Sequence, residues 1–321
     1  RLKEHHQDLV DSRHINLDFF SGEPLHYYNH LENPFHEGVS ELNQKLVKAT
    51  ADAVNKEGSF AIRETIRTED RAALATLSGE IARKISAKRM KEIDEKGVAE
   101  SDHRFHGKID IDFEGSAGQG FGAFLTEGLN VSLRGEANDS VCKSMSGGSV
   151  VINPPTDSTF DPAENAIVGN CTLYGATGGR LYVNGLAGDR FAVRNSGAVA
   201  VVEGTGLHPC EYMTNGTVAI LGSVSRNVGA GMTGGVLYLR KSQLHQINED
   251  YISPLGLDEA SSNELQTLLT DYVDHTGSQT AKRFLDNWNS EKVRFVKLLP
   301  KGVLAKRKEG ISRKREEGEK A

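Results

Sequence analysis

The sequence predicts a mainly β fold, a parallel β-helix (solenoid) with α-helical segments flanking it at both ends. Three observations lead there. Of the 34 glycines in 321 residues, 23 fall between Gly115 and Gly235. In that stretch short apolar runs recur, each opened by glycine: GLNVSL at 128, GSVVI at 148, GNCTLYG at 169, GRLYVNG at 179, GAVAVVEG at 197, GTVAILG at 216 and GVLYL at 235. Their spacing is nearly constant, 20 residues from Gly128 to Gly148, 18 from Gly179 to Gly197, then 19 to Gly216 and 19 to Gly235.

A step near 19 residues is too short for a βαβ unit of roughly 30, and no helical period lies between the runs. Three short strands with tight corners fit one coil, and successive coils stack about 4.8 Å apart. Corners that need positive φ explain glycine at fixed phase. Asn138, Asn195 and Asn215 fit the same phases, since asparagine tolerates the left-handed region. Val150, Leu181, Val199, Val218 and Leu237 form the expected inward stack. The one long interval, 31 residues from Gly148 to Gly179, contains NPPTDSTFDPAEN and reads as an inserted loop. An antiparallel sandwich explains the glycine phase less well.

Residues 1–107 read as a mixed helix and loop segment, 108–240 as the glycine-rich repeat, 241–300 as C-terminal capping helices and 301–321 as a basic, disordered tail. In the first segment Ser40 is a helix N-cap, with Leu42, Leu46, Ala49 and Ala53 on one face beside Val47 and Val54, and Gly58 as the stop. A second helix follows Thr68, with Leu74, Leu77, Ile81 and Ile85 as its stripe. His5, His6, His14, His26, His30 and His36 match no zinc spacing, and Pro24 and Pro34 break any helix that could align them. Beyond Arg240, Leu265, Leu268, Leu269, Tyr272 and Val273 mark an amphipathic helix capped by Ser262, and after Gly277 a shorter one carries Phe284, Leu285 and Trp288. The tail from Lys301 has eight basic and four acidic residues and reads as solvated rather than as a nucleic-acid arm.

Composition excludes several classes. A mean hydropathy of -0.44 and the lack of any run near the roughly 20 apolar residues of a membrane helix exclude a helical membrane span. A net charge of -6 argues against nucleic-acid binding. The opening RLKEHHQDLV has no signal-like apolar run, and the start at Arg1 reads as internal. Cys142, Cys171 and Cys210 are too sparse for a disulfide framework or CxxC metal pairs and read as inert thiols in a reducing compartment. That places the chain in the cytoplasm, or in a plastid if the parent is from a plant or alga.

The motifs that could carry chemistry fail their context. GQGFGA, with Gly118, Gly120 and Ala123, fits G-x-G-x-x-G/A after the strand-like IDIDF, but no helix follows to receive a pyrophosphate. His208 and Cys210 could pair as base and nucleophile, yet Pro209 lies between them and no third group orients the histidine. Asp189, Glu203 and Glu211 could serve glycan cleavage but show no readable pairing and read as exposed corner charges. The expected catalytic, cofactor-binding and metal-binding residues of this chain are none.

Longer strings then carry a resemblance. GSAGQGFGAFL, GEANDSVCKSMSGG, ENAIVGNCTLYGATGGRLYVNGLAGDRFAVRNSGAVAVVEG, HPCEYMTNG and GMTGG resemble the C-terminal domain of glutamate synthase large subunits. The flanks IRTEDRAALATLSGEIARK, HTGSQTAKRFLDNW and RFVKLLP are similar too, so the resemblance covers about residues 35–300. It implies a right-handed β-helix and a part in making two glutamates from glutamine, 2-oxoglutarate and a reduced electron donor. It also implies FMN and an iron–sulfur cluster in the complete large subunit, with none of that machinery here. Implied partners are the remaining large-subunit domains and an NAD(P)H-oxidising small subunit, with no nucleic acid and no membrane. Gly120 stands where the family has serine, Cys142 and Ser144 replace glycines, Pro209 replaces the glycine between His208 and Cys210, and Asn215 replaces the first glycine of a pair. The alternatives are a stand-alone β-helix assembly subunit of another oxidoreductase, such as the similar subunit of formylmethanofuran dehydrogenase, and a solenoid glycan hydrolase or lyase.

Overall fold

A computed structural model describes residues 40–98 and 103–305. The early histidines and the basic tail beyond Ala305 lie outside the described residues. Helix α1 spans Glu41–Lys56, and Ser40 caps it by accepting the Asn43 N–H at 3.2 Å. Leu42, Leu46, Ala53 and Val54 are buried along it as expected, but the chain leaves the helix through Glu57 in the left-handed region, one residue before Gly58. Strand β1, Ser59–Ile66, was not anticipated. Helix α2 is Ala75–Lys96 and starts later than Thr68, because Ala72 and Leu74 adopt positive φ first.

The strands β2 (Lys108–Ala117), β3 (Leu129–Ala137), β4 (Ser146–Asn153), β6 (Gly178–Ala187), β7 (Ser196–Thr205), β8 (Asn215–Ile220) and β9 (Val236–Arg240) follow β1 in parallel, each hydrogen-bonded to the next. The short β5, Ala166–Val168, returns from the inserted loop to pair with β3 and β6. Two more strands, β10 (Ile252–Gly256) and β11 (Phe295–Pro300), end the sheet in antiparallel pairing, in the order β9–β11–β10. Helix α3 is Glu259–Thr276, capped by Asp258 rather than Ser262. Helices α4 (Gln279–Asp286) and α5 (Trp288–Glu291) complete the described chain before β11.

The mainly β, parallel β-helix expected from the repeat, right-handed by the resemblance, is therefore corrected. The described residues form one mixed sheet of eleven strands with substantial helices packed on it, an α/β arrangement. Each step contributes a single strand and one long turn rather than three short strands. Glycine phase marks those turns, and a turn signal alone does not reveal how many strands lie between turns.

The steps themselves are visible in the register. Ile111, Val131, Val150, Leu181, Ala200, Val218 and Leu237 face one another in a single buried row. Val199 is not in it: Ala200 takes the inward place and Val199 turns outward. In GAVAVVEG both faces are apolar, so alternation cannot choose the face, and a one-residue slip exchanges them.

The turns share one backbone device. Residues i, i+2 and i+4 have positive φ in Gly120–Gly122–Phe124, Ser140–Cys142–Ser144, Cys171–Leu173–Gly175, Arg190–Ala192–Arg194, His208–Cys210–Tyr212 and Asn227–Gly229–Gly231. Within such a trio the outer and the middle N–H groups point in opposite directions along the stack. Cys142 N–H bonds back to Phe121 O at 2.8 Å, whereas Ser140 and Ser144 bond forward to Asn170 O and Tyr174 O, both at 2.8 Å. The middle residue of each trio turns inward, so Cys142, Leu173, Ala192 and Cys210 are fully buried. Asn138, Asn195 and Asn215 do not take the left-handed places assigned to them. Asn195 is buried and instead accepts Ala198 N–H and donates to Ala198 O, both at 2.9 Å.

Two substitutions separate strain from close approach. Ser144 holds φ +56, where a β-carbon costs about 1 kcal/mol; S144G is expected to raise stability by up to that amount. Gly135 has φ +154, and a β-carbon there would lie 1.8 Å from Gly115 O in the neighbouring strand. G135A is expected to lower stability by about 3 kcal/mol or more. Urea unfolding of both variants against the parent chain checks the opposite signs.

Candidate functional site

GQGFG forms the first of these turns between β2 and β3. Its donors are engaged: Gly120 N–H bonds Asp139 O at 2.9 Å, Gly122 N–H bonds Ala73 O at 3.1 Å and Phe124 N–H bonds Lys143 O at 2.8 Å. A phosphate cradle needs such N–H groups free and a helix behind them. Neither exists here, since the chain continues directly into β3.

His208 and Cys210 occupy the outer and middle places of one trio, which sends their side chains apart. Cys210 is fully buried, and burial pushes its thiol up to about 12. His208 faces outward with Nδ1 2.8 Å from Glu211 Oε1. The Asn227 amide donates to the same Glu211 oxygen at 3.0 Å, and Asn248 donates to Asn227 Oδ1 at 2.8 Å. This cluster ties three consecutive segments together and offers no thiolate to a base. Asp189 is also structural: its Oδ1 accepts Leu207 N–H at 2.7 Å on the next turn.

Glu203 departs from the expectation. It was expected at an exposed corner, yet it is 1% exposed. Its Oε1 accepts from the Ser278 hydroxyl at 2.5 Å and lies 2.9 Å from the Tyr272 hydroxyl, which also contacts Val183 O at 2.8 Å. Its Oε2 is buried with no hydrogen-bond partner; Thr280 approaches the carboxyl without closing a bond on that oxygen. Burial, the largest influence, raises the carboxyl above its usual range against the lowering effect of Ser278 and Tyr272. The signal was in the sequence: Val199 and Val201 share the outward face of β7 with Glu203, and an apolar outward face implies a cover. Helix α3 is that cover, laying Leu265, Leu269 and Tyr272 against Tyr182, Val201, Ala219 and Tyr238.

Around Glu203 lies a cavity of about 350 Å³, lined by Asp161 of the inserted loop, Asn184 of β6, and Gln279, Thr280 and Arg283 of α4. It joins two stretches that sequence reading treated separately, the DPAEN segment and HTGSQT.

Comparison with known proteins places the chain. The GXGXG motif family model matches residues 43–301. The chain belongs to the GXGXG motif family. It is 42% identical over 253 residues to ferredoxin-dependent glutamate synthase 2 of Synechocystis, covering 78% of this chain and 15% of that protein. It is 42% identical over 271 residues to the glutamate synthase [NADH] of Schizosaccharomyces pombe, covering 83% of this chain and 12% of that one. The chloroplastic ferredoxin-dependent glutamate synthase 2 of Arabidopsis thaliana is 43% identical over 258 residues, 78% of this chain and 15% of the relative. The chain thus spans about a seventh of these relatives and is similar to a segment of glutamate synthases.

For a GXGXG chain of this parentage, FMN and an iron–sulfur cluster are the implied cofactors, and the residues present do not fit them. The three cysteines sit on three different turns, two of them buried, and no group of three or more metal-ligating side chains occurs among the described residues. The alternate N–H groups of the glycine turn, at Gly120, Gly122 and Phe124, are already bonded within the protein. No step of chemistry is routed through either group here. No helix among the described residues is long and apolar enough to cross a membrane.

Two measurements check these environments. With a thiol reagent, Cys171 alone is expected to react in the folded chain, while Cys142 and Cys210, both pushed up by burial, react only on unfolding. For Glu203, the folded state keeps its proton to higher pH than the unfolded chain, where the carboxyl titrates near about 4.3. Folding takes up a proton in that window, so this group's contribution falls as pH rises, by at most about 1.4 kcal/mol per pH unit. E203Q removes the effect, and its stability advantage over the parent is expected to widen as urea midpoints are followed upward from about pH 4.

Proposed function

We propose that this chain is the C-terminal, architectural region of a glutamate synthase large subunit. In that reading it supports the coupled conversion of glutamine, 2-oxoglutarate and a reduced electron donor into two glutamates, as part of glutamate biosynthesis and ammonia assimilation. We assign it no catalytic, cofactor-binding or metal-binding residue in that reaction. FMN, the iron–sulfur cluster and the amidotransferase nucleophile belong to the remaining domains of the large subunit, its first partners. An NAD(P)H-oxidising small subunit is the further partner where the donor is a nicotinamide. The proposed division is 1–107 as the segment leading from an FMN-type domain, 108–240 as the glycine-turn stack, 241–300 as its helical cover and 301–321 as a basic tail. The location is the cytoplasm, or a plastid in a plant or alga, as the chloroplastic relatives suggest.

One observation carries the architectural reading. Relatives named for ferredoxin and a relative named for NADH match the same region at the same 42% identity. A region that contacted the electron donor would diverge between them, so the similarity supports a role common to both enzymes. The continuous hydrogen-bonded stack from β1 to β9 suits bracing, because bending it would break many inter-turn bonds together. Ammonia passing between two active sites must not leak to water, and a stiff brace holds those sites in register.

The test is a large subunit purified with and without residues 108–300. Glutaminase activity is expected to persist without the region, while coupled glutamate synthesis falls at least about tenfold, the equivalent of 1.4 kcal/mol in positioning. Coupled synthesis at full yield in the truncated enzyme would sink the proposal.

A further inference from the structure

We propose that one edge of the turn stack, carried by Phe124, Lys143, Tyr174, Arg194 and Tyr212, docks an extended acidic segment of the remaining large-subunit polypeptide. The inference rests on the large-subunit reading above and adds the surface and the chemistry of its partner. The last residues of the trios form a column along the stack: Phe124, Ser144, Gly175, Arg194, Tyr212 and Gly231. Glycine fills that place twice without strain, so the turn itself does not ask for a larger side chain there. Phe124, Arg194 and Tyr212 nevertheless hold φ +60, +56 and +53, a conformation that bulky residues rarely adopt. In the middle of each trio burial offsets that strain, as at Cys142 and Leu173. On this column it does not, because Phe124 is 58% and Tyr212 57% exposed, and Arg194 is exposed as well. Strained side chains that gain no core of their own point to a partner that packs on them.

The charge decides what the partner carries. Lys143 Nζ lies 5.8 Å from the centre of the Tyr174 ring, and Arg194 Cζ lies 5.8 Å from that of Tyr212, each cation above a ring of the next turn. Neither cation has an ion pair among the described residues, and the same holds for Arg190 and Arg226 on these turns. The carboxylates in or beside the trios are already engaged. Asp139 Oδ1 accepts Asn170 N–H and Asp189 Oδ1 accepts Leu207 N–H, both at 2.7 Å, while Glu211 holds His208 and Asn227. Open cations above open rings recruit carboxylates flanked by apolar groups. A net charge of -6 on the chain repels a phosphate polymer from the same edge. Phe124 and Tyr212 are four turn-to-turn steps apart, and four steps cover about 19 Å. An extended segment of about six residues has that length. The chain spans about a seventh of its relatives, so in the large-subunit reading the segment is tethered to the edge on which it docks, and tethering makes a modest contact effective.

Photocrosslinking in the intact large subunit tests the edge, with p-benzoylphenylalanine placed at Phe124, at Tyr212 or, as a control off the edge, at Phe160 of the inserted loop. Crosslinks from Phe124 and Tyr212 are expected on one Asp- and Glu-bearing stretch of the same subunit outside residues 1–321, with none from Phe160 to that stretch. The double charge reversal K143E/R194E is expected to lower the Tyr212 yield at least about fivefold, whereas K143R/R194K keeps it within about twofold and shows that the edge tolerates substitution. No crosslink, crosslinks to a second copy of the subunit or to a stretch without carboxylates, or a yield unchanged by the charge reversal would each overturn the docking. The truncated enzyme tells this failure from that of the bracing role. Lost coupling on truncation without crosslinks sinks the docking alone, and crosslinks with coupling intact on truncation support the docking and sink the bracing.

Discussion

The trio of left-handed residues at i, i+2 and i+4 in each turn is the constraint on which everything else depends. In the turns from Gly120 to Tyr212 its outer N–H groups bond forward to the next turn and its middle N–H bonds back to the turn before. Side chains other than glycine in the left-handed region cost about 1 kcal/mol apiece, and Phe124, Ser140, Cys142, Leu173, Arg190 and Tyr212 are among those held there. Such strain persists only where the surroundings over-determine the conformation. Here they do: each trio is bonded on both sides, and its middle side chain is packed in the core. The step of about 19 residues follows, because a strand of fixed length and a turn of fixed geometry must repeat for the bonds to meet.

That explains which parts of the fold were legible. The apolar runs and their spacing gave Val150, Leu181, Val218 and Leu237 of the inward row, with Val199 in place of Ala200, and Ser40 gave the start of α1. What was not legible is what tertiary pairing decides. Strand β1 alternates too weakly to announce itself and forms because β2 offers it a parallel edge from Ser59 to Ile66. The helical content and the antiparallel β10 and β11 change the fold class, and nothing in the repeat foretells elements outside it. Asn43 shows the same point at one residue. It is polar on the apolar face of α1, yet buried, because its amide oxygen accepts Leu74 N–H at 2.9 Å and so fixes the turn that begins the stack.

GQGFGA and the His208–Cys210 pair both sit in trios whose alternate N–H groups are used in stacking. Glu203 was missed because a lone carboxylate beside glycine resembles a corner charge. Its burial depends on Tyr272 and Ser278, roughly 70 residues further on, and a spacing of that length leaves no local pattern to read.

The outer face of the sheet shows why that corner is where it is. Along one register row the residues are Asp112, Ser132, Val151, Tyr182, Val201, Ala219 and Tyr238. The row changes from polar to apolar at β4. The polar part holds itself by inter-strand bonds, as where Asn130 donates to Asp110 at 2.8 Å and Ser149 to Asn130 at 3.0 Å. The apolar part needs a cover. Helix α3 crosses it from Ser261, which Lys297 of β11 contacts, to Thr276, whose carbonyl accepts from Asn184 of β6. Fifteen residues of helix advance about 22 Å, and the four strand steps from β11 to β6 cover about 19 Å. The helix is therefore about as long as the sheet is wide from β11 to β6, and Gly277 in the left-handed region ends it there, one strand short of the polar boundary before β4. The chain turns at that edge into α4, and the last outward side chain under the turn is Glu203. A carboxyl at that place is closed in by the helix corner, with Oε1 bonded to Ser278 and Tyr272 and Oε2 buried beneath it.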